Sequence, residues 1–311
     1  MRRFASIDVG SNTLRLLIAE GDSQGFKSSL LRKNVITRLG GGFDEDNGLH
    51  PDSVERTLSG LQQFRHLLVD YQVERVRAVA THVVRKAGNQ AFFLAKVKEE
   101  TGLVMEVIDS KREAQLTLTG VMASLKELQP PFVVFDIGGG STEFTFVSPL
   151  DRPDSVSLPL GVVSLTETYL DSDPPAPEQM AALEREVARL VVQAETALSC
   201  PGKDLDERAL ALVGCGGTVT TLAAMEQQLA GYDPDRVNGF TLSSEQVRKQ
   251  YRLMAAMPMN RRKELTALEP GREDIILAGC AIVLATMDNF GSERVIVSDA
   301  GLLEGVLIEL F

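Results

Sequence analysis

Two short polar segments, each following an apolar run, have the same order of residue types. Residues 8–13 read DVGSNT and residues 136–141 read DIGGGS. Loops of glycine and small hydroxyl residues let backbone N–H groups converge on phosphate oxygens without obstruction by Cβ atoms. A structural turn explains either segment alone, but the matched pair predicts two loops that hold phosphate. Their residues are Gly10, Ser11, Asn12 and Thr13 in the first loop, and Gly138, Gly139, Gly140, Ser141 and Thr142 in the second.

The acidic residues of these segments suit a metal ion better than they suit a phosphate. Asp8 and Asp136 each stand first in their segment, and Glu143 follows the second segment. A carboxylate repels phosphate but is a preferred ligand of Mg²⁺, which bridges carboxylate and phosphate oxygens. A turn-capping role for either aspartate, or a solvent-facing Glu143, is the alternative. We predict Mg²⁺ bound through all three carboxylates, with Mn²⁺ as the alternative metal.

A third glycine-rich segment, GCGGTVTTLAAM, lies at 214–225, where a strand pattern is followed by a helix pattern. The N-terminus of a helix can bind an anion or the phosphate of a nucleotide. Close packing of a helix on a sheet explains the same glycines equally well, so both interpretations stay open.

The charge of the chain excludes one class of partner. Its 311 residues include 32 Lys and Arg against 43 Asp and Glu, a net charge of −11, which argues against nonspecific nucleic-acid binding. Residues 1–100 run against this trend, with 15 basic and 12 acidic residues. Their basic side chains form either ordinary solvated surface or a cationic face for an anionic ligand, and the two loops favour the second. They include Arg15, Arg32, Lys33, Arg38, Arg85 and Lys86.

The composition also limits location and metal chemistry. Every apolar run falls short of the roughly 18–20 residues that span a bilayer, and the chain starts directly with a strand pattern, so no membrane association is predicted. The cysteines, Cys200, Cys215 and Cys280, are odd in number and far apart. This spacing predicts neither disulfides nor a zinc site and fits a reducing, cytoplasmic compartment.

Alternation of strand and helix patterns predicts an α/β fold with helices covering mixed sheets. Strands are predicted at 4–9, 14–19, 76–80, 104–108, 132–135, 144–147, 209–213 and 294–297. Helices are predicted at 52–71, 90–101, 111–125, 178–198, 244–257 and 274–289, after the glycines at 214–217, and from 301 onward. The repeated loop segment predicts two similar domains with a break between 125 and 132.

Seven segments together resemble one protein family. They are DVGSNT (8–13), ATHVVRKAGN (80–89), REAQLTLTGV (112–121), DIGGGSTEF (136–144), GCGGTVTTLAAM (214–225), PGREDIILAG (270–279) and VSDAGLLEGVL (297–307). In this order, over essentially the whole chain, they resemble the exopolyphosphatase and guanosine pentaphosphate phosphohydrolase family.

The resemblance implies two ribonuclease-H-like domains of the actin and sugar-kinase superfamily, with the active site in the cleft between them. Residues 1–125 with 300–311 would form the first domain and residues 126–299 the second. The last helix would pack back on the first domain. The chain resembles the short, two-domain form of the family, for which a homodimer is the expectation.

The resemblance also implies that water removes the terminal phosphoryl group of inorganic polyphosphate, or the 5′ γ-phosphate of guanosine pentaphosphate. Glu113 would act as general base. Arg85 and Asn89 of the THxxRxxxN pattern, with Arg15 or Arg38, would contact the substrate's phosphates. A surface position at a helix end is the alternative for Arg85.

Three residues depart from the pattern of the family. Arg112 stands where the family often has an acidic residue, Asn238 where it commonly has His, and Leu303 where it commonly has Arg. If the usual residues at the last two positions bind long substrates, this chain prefers shorter ones.

Two other functions fit the same motifs. An ATP-dependent small-molecule kinase of this superfamily would need an adenosine pocket at 214–225. A non-hydrolysing sensor of polyphosphate or of guanosine penta- and tetraphosphate would have no need of a general base, so Glu113 argues against it.

Overall fold

The computed structural model describes residues 1–22, 25–44, 47–198 and 210–311. These residues divide into two compact units, Met1–Gly120 with Ala300–Phe311 as unit 1 and Val121–Asp299 as unit 2. The first break therefore falls at 120 rather than at the predicted 125, and the second at 299, as in the sequence analysis. Cys200 and the start of the strand predicted at 209 lie outside the described residues.

Unit 1 contains a five-stranded mixed sheet in the order β3-β2-β1-β4-β5. Neighbouring strands among the first three are antiparallel, whereas β4 is parallel to β1 and β5 is parallel to β4. The strands are β1 (Arg2–Val9), β2 (Thr13–Asp22), β3 (Gly25–Ile36), β4 (Arg75–Ala80) and β5 (Met105–Val107). The helices are α1 (Pro51–Asp70), α2 (His82–Lys86), α3 (Gln90–Thr101), α4 (Ser110–Ser124, crossing the break) and α12 (Leu302–Ile308).

Unit 2 repeats this topology. Its six-stranded sheet has the order β8-β7-β6-β9-β11-β10. The pairs β8–β7, β7–β6 and β11–β10 are antiparallel, whereas β6–β9 and β9–β11 are parallel. The strands are β6 (Phe132–Ile137), β7 (Thr142–Val147), β8 (Asp154–Leu158), β9 (Ala211–Cys215), β10 (Thr241–Ser243) and β11 (Arg294–Val297). The helices are α5 (Val162–Tyr169), α6 (Pro177–Ala197), α7 (Gly217–Glu226), α8 (Pro234–Val237), α9 (Ser244–Ala255), α10 (Met259–Arg262) and α11 (Ile276–Asn289). The predicted α/β fold of two similar domains is confirmed.

The central strand of unit 1, β1, is covered on both faces. Ile7 and Val9 of β1 pack with Leu61 and Phe64 of α1 on one face. Phe4 packs on the opposite face against residues of α12. From Phe4 to Val9 every residue of β1 is therefore buried, including the polar residues Ser6 and Asp8.

Seven of the described elements were not predicted: β3, β8, β10, α2, α5, α8 and α10. The strand β3 forms one edge of its sheet, and much of its length is exposed. An edge strand with polar residues on both faces has no clear period-2 pattern, and its pairing with β2 depends on contacts across the chain. The short strand β8 is likewise an edge strand.

The C-terminal helix α12 packs in unit 1, as the resemblance implied, through very close backbone contacts with α4. A Cβ atom at Gly305 would overlap the backbone carbonyl of Leu116, and one at Gly120 would overlap that of Gly301. Leu303 is buried in the small core around Phe4. The position where the family commonly has Arg is therefore interior here, and its side chain does not contact a substrate.

Arg112, another of the three departures from the family pattern, has a structural role. Its guanidinium pairs with Glu309, just beyond α12, and Arg77 of β4 pairs with the same carboxylate at 2.5 Å. Partial burial raises the pKa of Glu309, but hydrogen bonds and charge from Arg77 and Arg112 outweigh it and lower that pKa overall. Arg112 thus helps to hold the end of the chain on unit 1.

Among the residues that the structure describes, none of the helices is both long and apolar enough to cross a membrane. The described cysteines, Cys215 and Cys280, are buried thiols outside any disulfide, and the Cys215 thiol donates to Phe135 O at 3.5 Å.

We expect the Gly305→Ala change to destabilise the protein. Alanine favours a helix by about 1 kcal/mol over glycine, but overlap with a backbone carbonyl cannot be relieved by a side-chain rotation, and such overpacking costs about 2–4 kcal/mol. Urea unfolding should therefore show a lower midpoint. Gly231→Ala is the control, because a Cβ there meets no atom within 4 Å. Equal midpoints for the two variants would contradict this close packing.

Candidate functional site

The two segments that aligned in the sequence form the same hairpin in the structure. In the first, Gly10 N donates to Thr13 O at 3.2 Å, and in the second Gly138 N donates to Ser141 O at 2.9 Å. A Cβ at Gly10 would lie 3.1 Å from that Thr13 oxygen, and one at Gly138 would lie 2.9 Å from that of Ser141. Both bends therefore favour glycine at their first position, and the alignment is confirmed.

The carbonyl groups of the first loop are held by a neighbouring segment of unit 1. Gly40 N donates to Ser11 O at 2.7 Å, and the N–H groups of Thr37 and Arg38 donate to Asn12 O at 3.1 and 2.9 Å. The peptides concerned are trans, so each N–H points opposite to its C=O. The N–H groups of Asn12 and Thr13 consequently point away from residues 37–40.

The second loop is held in a corresponding way by the start of α5. Val162 N donates to Gly138 O at 3.1 Å, and Val163 N donates to Gly139 O at 2.9 Å. By the same trans-peptide geometry, the N–H groups of Gly139 and Gly140 point away from α5. Successive N–H groups that share one direction form a cradle suited to an anion.

Each hairpin carries a row of side chains in register across its three antiparallel strands. In unit 1 the row is Asp8, Arg15 and Asn34. Residues directly opposite one another on neighbouring strands present their side chains on the same face of the sheet. Asp8 is buried, and its Oδ2 lies 3.4 Å from Arg15 Nε. This row therefore pairs one carboxylate with one guanidinium.

The corresponding row in unit 2 is Asp136, Glu143 and Ser157. Glu143 occupies the position of Arg15, so two carboxylates face each other instead of an ion pair. Glu143 is buried, and its Oε1 accepts hydrogen bonds from the hydroxyls of Ser141 and Ser157, both at 2.7 Å. Facing carboxylates repel unless a cation or proton lies between them.

These oxygens match the ligands that Mg²⁺ prefers, and the two hydroxyls fix the orientation of Glu143. The Asp136–Glu143 pair therefore fits a magnesium ion. Asp8 fits less well, because the Arg15 guanidinium competes with a metal for the same carboxylate. Among the described residues, no group of three or more His, Cys, Asp or Glu side chains is placed to hold a metal ion. Magnesium binding stays a prediction.

Two predicted phosphate contacts need correction. Thr142 is fully buried, and its hydroxyl donates to Leu160 O at 2.6 Å, so the prediction that this hydroxyl contacts phosphate is wrong. The Ser141 hydroxyl donates its one proton to Glu143, which leaves its backbone N–H as the group able to reach an anion. In this loop, backbone amides rather than these two hydroxyls are therefore the candidate donors to a phosphate.

The glycine-rich segment at the end of β9 and the start of α7 packs closely on its neighbours, which is one of the two interpretations left open by the sequence. A Cβ at Gly214 would crowd Phe135 and Val219, which is a packing reason. Gly216 has φ +89°, and a Cβ there would lie 2.9 Å from Asp136 Oδ1. A Cβ at Gly217, the first residue of α7, would overlap the guanidinium of Arg272. The start of α7 therefore adjoins both Asp136 and a cation.

Arg272 is a candidate site residue that sequence reasoning missed. Its side chain is largely buried, and its Nε donates to Glu269 Oε2 at 2.5 Å. It lies within the family-like segment PGREDIILAG, but no spacing in that segment indicates that its arginine meets the loop at 216–217. A guanidinium at a helix N-terminus provides charge and directed donors for a phosphate.

Glu113 lies in the first turn of α4 and is buried. Its Oε2 accepts from Arg85 Nη1 at 3.0 Å, and the same nitrogen donates to Ile108 O at 2.7 Å. The helix N-terminus and the guanidinium both favour the ionised carboxylate. The structure thus brings together Glu113 and Arg85, which the resemblance named separately, and Arg85 is not an ordinary surface residue at a helix end.

The remaining predicted phosphate contacts differ from one another. Asn89 accepts from Leu49 N at 2.9 Å and donates to Leu49 O at 3.0 Å, so its amide joins two backbone segments. This geometry gives no support to a phosphate contact by Asn89. Arg38 is half-buried and has φ 48°, which is rare for a residue other than glycine. Asn238 accepts a hydrogen bond from Asp299 N at 3.1 Å, a role within unit 2.

Comparison with known proteins identifies the family of this chain. A family model, the Ppx/GppA phosphatase family, matches residues 17–311. Exopolyphosphatase 2 of Mycobacterium tuberculosis is 32% identical over 323 residues, covering 100% of this chain and 99% of that protein. The crystal structure of a Ppx/GppA family member from Aquifex aeolicus is 38% identical, with a TM-score of 0.80 and coverage of 99% and 97%. An exopolyphosphatase from Cytophaga hutchinsonii is 25% identical, with a TM-score of 0.89 and coverage of 99% and 97%. The chain belongs to the Ppx/GppA phosphatase family, and the resemblance stated from the sequence is confirmed.

We expect His82, beside Arg85, to make stability depend on pH. Burial, with the charges of Arg85 and Lys86, lowers the pKa of His82 from 6.5 to about 4. Between these values the unfolded chain binds a proton that the folded protein does not, so stability falls as pH falls through this window. Urea unfolding at about pH 7 and about pH 5 should show a loss of roughly 1–2 kcal/mol from this group. His82→Asn should reduce the loss, and equal losses in parent and variant would contradict the assignment.

Proposed function

We propose that the protein is a Mg²⁺-dependent phosphohydrolase that removes the terminal phosphoryl group of inorganic polyphosphate. The 5′ γ-phosphate of guanosine pentaphosphate is the second candidate substrate. The observation that carries this proposal is the pair of matched hairpins, whose amides point away from the segments that hold their carbonyls. The same chain buries Glu113 in an ion pair with Arg85. Relatives of the chain are named exopolyphosphatases, which supports polyphosphate as the first substrate to test.

Unit 1 supplies the groups that bind the anion. The amides of Asn12 and Thr13 share one direction, and Arg15 lies in the same hairpin. Charge-assisted hydrogen bonds to phosphate are about twice as strong as neutral ones. Arg85 adds a further cation beside Glu113. These groups bind and orient a terminal phosphate.

Unit 2 supplies amides from Gly139 and Gly140 and the carboxylate pair Asp136–Glu143. When bound there, Mg²⁺ would neutralise negative charge that develops on the phosphate oxygens. Ser141 and Ser157 hold the Glu143 carboxylate in one orientation. Arg272, beside the start of α7, provides a further cation for the phosphate chain.

Glu113 positions the attacking water and accepts its proton. The water oxygen forms a bond to the terminal phosphorus as the bridging P–O bond breaks, and the products are orthophosphate and a chain one phosphate shorter. Phosphoryl transfer passes through a loose transition state, so orientation of the water matters more than strong basicity. A carboxylate fixed by Arg85 meets that requirement.

A phosphate-release assay tests the activity directly. We expect release of orthophosphate from short or long polyphosphate or from guanosine pentaphosphate, loss of that release with excess chelator, and recovery with Mg²⁺. The assay should run these substrates beside ATP, because release of ADP with a phosphorylated acceptor would indicate a kinase. Tight binding of polyphosphate without release of phosphate over hours would indicate a sensor. Either outcome would contradict the hydrolase proposal.

Replacement of the Glu113 carboxylate should affect turnover far more than binding. Glu113→Gln keeps the shape of the side chain but cannot accept the proton, so kcat should fall by about 10²–10⁴-fold. KM should change by less than about three-fold. The matched control is Glu99→Gln, the same change at an exposed position of α3. A Glu113→Gln variant with the turnover of the control would remove Glu113 from the mechanism.

A further inference from the structure

We propose that Arg56 of α1 is a positioning residue that holds the first phosphate loop in its binding conformation. The inference rests on the proposed function in one respect, that this loop binds phosphate. Arg56 is exposed and carries no signal in the sequence. Its role follows from the acceptors to which its guanidinium is bound.

The Arg56 guanidinium is fixed by three oxygen acceptors. Nε donates to Thr37 O at 2.9 Å, and Nη2 donates to Ser53 Oγ at 2.8 Å, with Arg38 O at 3.5 Å from the same nitrogen. The Ser53 hydroxyl in turn donates to Gly41 O at 3.2 Å. Arg56 and Ser53 together therefore bind three carbonyls of the segment 37–41.

These carbonyls belong to the segment that anchors the loop. The N–H groups of Thr37 and Arg38 donate to Asn12 O, and Gly40 N donates to Ser11 O. The direction of the amides of Asn12 and Thr13 depends on these bonds, since each amide lies opposite a held carbonyl. Release of segment 37–41 would let the loop rotate and its amides lose their common direction.

The backbone of Arg38 shows why the segment needs an external hold. Its φ of 48° lies in the left-handed region, which disfavours residues that carry a Cβ. Such a conformation persists where surrounding contacts impose it. Before Arg38, the Arg56 guanidinium donates to Thr37 O, and after it, Gly41 N donates to Arg38 O at 2.9 Å. This backbone also directs the Arg38 side chain, a predicted phosphate contact.

The geometry suits arginine in particular. The Nε and Nη2 donors of a planar guanidinium are held at a fixed spacing, so one side chain can bind a backbone carbonyl and a hydroxyl at once. Lysine would place a single ammonium group near one of these acceptors. Arg56→Lys should therefore restore part of the function that Arg56→Ala removes.

Hydrogen–deuterium exchange tests the positioning role without reference to activity. In Arg56→Ala, we expect the amides of Thr37, Arg38 and Gly40 to exchange at least about ten-fold faster, because their bonds to the loop open more often. The matched control is Arg65→Ala, which removes an exposed arginine from the same helix. Unchanged exchange at 37–40 in Arg56→Ala would overturn the inference.

Steady-state kinetics with inorganic tripolyphosphate gives the second readout. We expect Arg56→Ala to raise KM about ten-fold or more with kcat within about three-fold, Arg56→Lys to lie between it and the parent, and Arg65→Ala to match the parent. An equal rise in KM for both alanine variants would mean a general charge effect and would overturn the inference. Absence of hydrolysis by the parent protein would contradict the proposed function alone, since the exchange measurement still decides the role of Arg56. If Arg56→Ala fails to fold, the same measurements on Arg56→Lys decide it.

Discussion

The candidate site depends on one constraint: the carbonyl groups of each hairpin bend accept hydrogen bonds from a neighbouring segment of the same unit. A bend whose carbonyls were unbound could rotate them toward the ligand, where they would repel a phosphate. In unit 1 the segment 37–40 holds the carbonyls of Ser11 and Asn12, and in unit 2 the start of α5 holds those of Gly138 and Gly139. Because every peptide unit there is trans, the amides face the other way. The direction of the amides, and with it the candidate anion site, thus follows from the segment that is hydrogen-bonded to each loop.

The two units share a topology, but the residue paired with the first aspartate of each hairpin has opposite charge in the two units. The position opposite the first aspartate is Arg15 in unit 1 and Glu143 in unit 2. An Asp–Arg pair neutralises itself and leaves guanidinium donors for an anion, whereas an Asp–Glu pair attracts a cation. A single exchange of sign therefore suits the row with Arg15 to an anion and the row with Glu143 to a cation. The serines that bind Glu143 have no counterpart in that role around Arg15 among the described contacts.

The sequence predicted the strands and long helices well, and it found the paired loops because glycine and aspartate recur at fixed offsets. It failed where a contact crosses the chain. The role of Arg272 depends on how the segment 270–275 meets the start of α7, and that of Arg56 depends on where α1 lies beside residues 37–41. Side-chain hydroxyls were misjudged for a related reason. Ser141 and Thr142 look like phosphate donors in a glycine-rich loop, yet each proton goes to a neighbour, Glu143 or Leu160 O, that only the fold identifies.

The pairing of Glu113 with Arg85 sets the balance between orientation and basicity. A guanidinium 3.0 Å from the carboxylate stabilises the charged form and so weakens it as a base. For a reaction that required early proton removal this would be a poor arrangement. Hydrolysis of a phosphoric anhydride makes a different demand, because bond cleavage to the leaving group runs ahead of bond formation to water, and the water becomes acidic only late. In the proposed reaction, a carboxylate that is buried and fixed by a neighbour that also binds Ile108 O can then hold the water in line until the proton moves. In the proposed reaction Arg85 also carries charge suited to a terminal phosphate, so one guanidinium serves both to fix Glu113 and to bind the substrate.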